Sequence, residues 1–238
     1  MSENHLNAIV LKTGAFYACR MATVEYGSSA PEGSGTRSYR SPRRQMQAAQ
    51  TRAAALEAAA RLFAERGWTG TAMRDVARAA QVSVETLYAA FGSKARLLKS
   101  AVEAAVVGDD VQKALAERPA YKAIGEGRTV GARIEAAAHM VAVINERLHP
   151  LAAALRHGAT TDPVLATAIA DLDAQRRSSV TDAAEMITGH RSDPERIDEL
   201  WVQTDDQVYA LFVHHCGWSR ARYEAWLIDR IEHILGPV

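Results

Sequence analysis

Only two cysteines, Cys19 and Cys216, occur in 238 residues. That is too few for a disulfide framework, and a reducing cytoplasm is the default expectation. No run of 18 apolar residues is present. The best N-terminal stretch, Ala8 to Cys19, is broken by Lys12, so no membrane-spanning helix is expected. Glu3 and the lack of an early basic cluster also make a poor signal peptide. Net charge is missing as well: 28 Lys and Arg balance 28 Asp and Glu, which argues against a wholly basic coat for nucleic acid. A Gly-rich phosphate loop, a nucleophile elbow and paired catalytic carboxylates are all absent, so enzyme chemistry and a cofactor have nothing to rest on. What is there is ordinary globular material, 48% apolar and 24% charged, enough for one large domain or two small ones.

The zero net charge conceals an asymmetry. Residues 37–99 hold twelve basic against four acidic residues, a net of +8, whereas residues 100–238 net −7. Such a split suits a basic module made for a polyanion attached to an acidic body that is not. Residues 1–40 read as a disordered tail, because Gly27 to Gly35 is linker chemistry without large apolar groups. Arg43 and Arg44, just past that tail, are placed to meet phosphates or a minor groove.

Residues 41–100 read as four short helices. Leu56, Ala59, Ala60 and Phe63 form one apolar face, ended by Gly67. Met73, Val76, Ala77 and Ala80 repeat the spacing in a second helix, with Thr71 where an N-cap belongs. A connection of about three residues, Gln81-Val82-Ser83, precedes a third helix with Val84, Leu87 and Phe91 on its inner stripe. Gly92 stops it, and Ser93 caps a fourth. Two short helices joined by so tight a turn in a basic segment spell helix-turn-helix. With the stripe turned inward, Glu85, Thr86, Tyr88 and Ala89 face outward. Thr86 suits a base edge or phosphate, Ala89 a thymine methyl, Glu85 a cytosine amino group and Tyr88 a phosphate. Ser83 caps the reading helix, Thr71 offers a hydroxyl and free N–H groups to a phosphate, and Lys94 adds charge at the groove edge.

The run from Trp68 to Ala77 and the run from Val82 to Lys94 resemble the TetR family of bacterial one-component transcriptional regulators. Turn, cap, Leu87-Tyr88, Phe91 and Lys94 all keep register over roughly residues 47–100. Two positions depart from the family: Gln81 stands where glycine is usual, so an αL turn residue there is less well tolerated, and Glu85 stands where a small residue is frequent. The resemblance implies an all-α protein whose body, residues 101–238, binds a small effector and dimerises through its last two long helices. It further implies a repressor that grips a palindromic double-stranded operator as a homodimer and is released by its ligand. The recognition helices would lie about 34 Å apart, one turn of DNA.

The body is helical by its own pattern. Ile134 to Leu148 fit one helix, stopped or bent at Pro150; Pro163 starts a second; Asp193-Pro194 opens a third running to about 216; a last one follows Gly217. Trp201, Val208, Phe212, Tyr223, Trp226, Leu227, Ile231 and Ile234 are the expected dimer face. His139, Arg176 and Trp201 are candidates for the effector pocket. His214-His215-Cys216 is no metal site, because neighbours on a helix point about 100° apart. Two rivals stand beside this reading: an all-helical carrier or enzyme whose basic end steers an anionic substrate, and an architectural DNA binder without an effector.

Overall fold

The computed structural model describes residues 42–108, 115 and 118–236, and among these there is no strand. The tail expected over 1–40 lies outside the described residues. Helix α1 spans Pro42–Gly70, but Gly67 has φ 67° and ψ −171°, so regular helix ends there as the glycine predicts. Helices α2 (Met73–Ala79), α3 (Val84–Phe91) and α4 (Lys94–Val107) follow, then α5 (Pro119–Glu126), α6 (Val130–Ala159) and α7 (Pro163–Thr188). Helices α8 (Pro194–Gln203) and α9 (Asp206–Ala210) lead into a π-turn, Leu211–His215, and α10 (Arg220–Leu235) ends the fold.

The body departs from its sequence pattern at two places. Of a stop or a bend at Pro150, the stop does not occur: α6 runs through it to Ala159. Nor is 194–216 one helix. The chain breaks at Thr204 and Asp205, where the Thr204 hydroxyl donates back to the Leu200 carbonyl at 2.8 Å and the Asp205 carboxylate caps α9 by accepting from the Gln207 N–H at 2.8 Å.

Apolar side chains gather in two cores. The first joins Leu56, Phe63, Val76, Leu87 and Leu98 of the N-terminal helices to Leu148, Leu151, Leu155 and Leu165 of the body. The second joins Tyr121, Ile134, Ala138, Ile187, Leu200 and Leu227. Helices α6 and α7 thus serve both cores, and the division between cores falls along their length rather than near residue 100. One close approach makes the first core possible. A Cβ on Gly158 of α6 would lie 2.4 Å from Leu165 Cδ1 and 2.9 Å from Trp68 Cδ2, so only glycine lets α7 and the end of α1 meet α6 there.

Candidate nucleic-acid interface

Helices α2 and α3 meet through a connection that closes on backbone bonds. The Ala80 N–H donates to the Val76 carbonyl at 2.9 Å and the Val82 N–H to the Ala77 carbonyl at 3.0 Å. Between them Gln81 takes φ 57°, the one positive φ outside glycine among the described residues. Ser83 then caps α3, its hydroxyl accepting from the Thr86 N–H at 3.1 Å and lying 3.0 Å from the Thr86 hydroxyl. Leu87 and Phe91 are buried and Val84 is half-buried, so the inner stripe sits where helical spacing puts it. Glu85, Thr86, Tyr88 and Ala89 are all exposed, and Tyr88 keeps 49% of its surface open. No described element covers this face. A hydrogen bond from its own backbone N–H, then one from Ser83, holds the Glu85 carboxyl below its ordinary value. Ser83 and Thr86 thus form a hydrogen-bonded pair at the start of the helix, with Glu85 beside them.

Two residues expected at the phosphates are differently placed. Thr71 is buried, and its hydroxyl points inward to the carbonyls of Leu62, at 3.0 Å, and Gly67, at 2.9 Å. Leu62 and Gly67 lie in the last turns of α1, so the Thr71 hydroxyl is shared between carbonyls at the end of that helix rather than offered outward. Ala72, with no side-chain bond, is the N-cap of α2. A phosphate can be met at this position only through backbone N–H groups. Lys94 is half-buried; its ammonium donates to the Trp68 carbonyl and lies 4.0 Å over the Trp68 ring. Burial pushes its pKa down. Arg43 and Arg44 fall in the first turn of α1, and their side chains lie outside the described residues.

A groove beside α3 escaped the sequence reading. Gln47, Thr51 and Arg52 of α1 line it opposite Thr86 and Ala89, and the Arg52 guanidinium sits 4.6 Å over the Phe91 ring. The signal was available: Arg52 stands one turn before Leu56 on the same face of α1, a charged residue heading an apolar stripe.

In the body, α6 and α7 leave a cavity of about 120 Å³, several times what one water needs. Met140, Val141, Ile144, Leu172 and Val180 are among its walls, with Asn145 and Arg176 among the polar residues. Arg176 donates to the Trp201 carbonyl and pairs with Asp205 at 2.8 Å. Burial pushes its guanidinium down, while Asp205 and Asp173 hold it up. The other two pocket candidates are corrected. His139 is exposed on the outer side of α6, 3.0 Å from the Glu224 carboxylate. The Trp201 ring does not line the cavity; it lies 4.3 Å beneath the Arg176 guanidinium.

The expected dimer face is corrected in part. Tyr223, Leu227, Ile231 and Ile234 are buried within their own chain, because α10 turns its apolar stripe onto α6 and α8. Phe212 stacks on Trp218 with ring centres 4.4 Å apart, and Trp226 packs against Phe212 at 4.5 Å with its ring tilted by 52°. Trp201, Val208, Phe212 and Trp226 keep partial exposure, and Val202 at 50% and Leu211 at 57% are the more open apolar residues of this region.

Residues 55–101 match the family model described as bacterial regulatory proteins, tetR family. Among curated proteins none matches the chain. Twelve chains of solved structures match it, and three of them illustrate the shared fold. One, described as a TetR-family transcriptional regulator of Mesorhizobium loti MAFF303099, is 20% identical with TM-score 0.58, covering 79% of this chain and 96% of its own. A second so described, from a Rhodococcus species, is 21% identical with TM-score 0.61 and covers 79% and 99%. A third, a transcriptional regulator of Rhodococcus sp. Rha1, is 20% identical with TM-score 0.57 and covers 77% and 95%. The exposed face of α3, the capped three-residue turn and the family match coincide on the same residues, so residues 55–101 form a helix-turn-helix of the kind that the tetR-family model describes.

Proposed function

We propose that this regulator is a homodimeric repressor that holds a palindromic operator and lets go when a small molecule enters the cavity between α6 and α7. The observation that carries the reading is the sharing of α6 and α7 by both cores. A ligand that pushes these helices apart also moves Leu148, Leu155 and Leu165, on which the reading module rests. Only a ligand with different affinity for the two arrangements shifts their balance, and a few kcal/mol suffices to change promoter occupancy.

On the DNA side, Thr86, Tyr88 and Ala89 meet the major groove, with Glu85 reading a cytosine amino group. Lys94 and the backbone at Thr71 to Met73 lie near phosphates, with Arg43 and Arg44 further out. On the partner side, the open face near Val202, Val208 and Leu211 meets its two-fold copy.

Selection of bound duplexes from a random pool tests this. The expected product is an inverted repeat with half-sites one helical turn apart, bound with a steep salt dependence. Absence of any salt-dependent DNA binding would leave a carrier. Binding to every sequence alike, with no ligand able to release it, would leave an architectural protein.

A further inference from the structure

The cavity between α6 and α7 is chemically lopsided. Among the described residues that wall it there is no aromatic ring, no histidine and no carboxylate. Its walls are saturated side chains, such as Met140, Ile144, Val180 and Ile187. A planar aromatic guest would find no ring to stack on, and an ammonium would find no anion at the wall. The polar groups collect where α6 and α7 meet the break between α8 and α9. There the Asn145 amide already donates to the Thr204 carbonyl at 3.1 Å, and the Thr204 hydroxyl is engaged by Leu200 at 2.8 Å. Arg176, with five N–H groups, is the one charged residue of the wall. Beside it Gln175 and Ser179 also face the cavity.

The charge around Arg176 then selects the guest. The Asp205 carboxylate pairs with the Arg176 guanidinium at 2.8 Å, and Asp206 is held by Arg156, so the positive charge of Arg176 is already matched within the chain. A guest carboxylate would have to compete with Asp205 for it; a neutral acceptor would bring no second negative charge to it. Desolvating a neutral carbonyl also costs much less than desolvating an ion.

We propose that this cavity takes an uncharged aliphatic molecule carrying one carbonyl-type hydrogen-bond acceptor, its chain against the Met140–Ile187 end and its acceptor against Arg176. The proposal rests on the reading of the cavity as the effector site.

Calorimetric titration of the full chain with three probes of one chain length, methyl octanoate, octanoate and octylamine, and with naphthalene, tests it. The ester is expected to bind at least tenfold tighter than the other three. Arg176→Met is expected to weaken the ester at least tenfold, and Ala183→Leu, at a residue of α7 that lines the cavity near Val180 and Ile187, to abolish its binding without lowering Tm. If Arg176→Met does not fold, the order of the probes and the Ala183→Leu result decide. Tighter binding of octanoate or octylamine overturns the proposal, as does ester binding indifferent to Ala183→Leu. Naphthalene bound in the ester's place and expelled by Ala183→Leu overturns the ligand class and leaves the effector cavity standing. No binding by any probe overturns both.

Discussion

Gln81 sits at φ 57°, where a Cβ crowds the following carbonyl at a cost of about 1–2 kcal/mol. Glycine there removes the crowding but loses more entropy on folding. Gln81→Gly is therefore expected to stabilise the chain by about 0.5–1 kcal/mol, read as a rise in Tm. A fall would mean that the glutamine side chain makes a compensating contact. Lys94 gives the opposite case. Its bond to the Trp68 carbonyl ties the start of α4 to the end of α1, and a hydrogen bond of this charged type is worth up to about 1–2 kcal/mol at a site partly open to solvent. Lys94→Ala should lower Tm along with DNA affinity. Lost affinity at unchanged Tm would show instead that the ammonium leaves Trp68 for a phosphate. The strain at Gln81 was legible through the family resemblance, in which glycine is usual at that turn position, and not from the turn's own residues. The turning-in of Thr71 was not legible. A threonine before a helix reads as a cap, and only the way α1 ends presents its hydroxyl with the two carbonyls it bonds.

At the scale of elements, short amphipathic helices were the most readable part. Val84, Leu87 and Phe91 recur at a helical period, and Gly67, Ser83 and Gly92 mark ends that the chain respects. The long helices were less so. Pro150 removes one backbone donor, yet α6 continues because tertiary packing on both sides holds it. The break at Thr204 depends on Asn145, which is distant in sequence and bonds the Thr204 carbonyl. The contact most sensitive to change is that of α6 with α7 and Trp68 at Gly158. Gly158→Ala puts a methyl 2.4 Å from Leu165 Cδ1 and should cost about 1–3 kcal/mol of stability, measured by denaturant midpoint. A neutral result would show that Leu165 and Trp68 yield freely, and that this joint is slack rather than tight.

For the whole molecule, the apolar stripe of α10 shows where pattern reading stops. Tyr223, Leu227, Ile231 and Ile234 have the spacing of a face that must be covered, but periodicity does not say whether the cover is the same chain or another copy. Here α6 and α8 supply it. The apolar surface left open is smaller and lies near Val202 and Leu211, where the proposed dimer would meet. Leu211→Asp, at a residue 57% exposed, should leave the helical circular dichroism unchanged and shift sedimentation from dimer to monomer. An unchanged mass would remove this face from the interface. The charge division, by contrast, was plain from composition, since it needs no knowledge of what packs on what.

The continuity of the first core bears on how such a molecule could be rebuilt. A chimaera spliced near residue 100 would sever Leu97 and Leu98 from the leucines of α6 and α7 in the same core, leaving a raw apolar flank on the transplanted reader. A graft that keeps the reader intact has to bring the second half of α6 and the first turns of α7 with it.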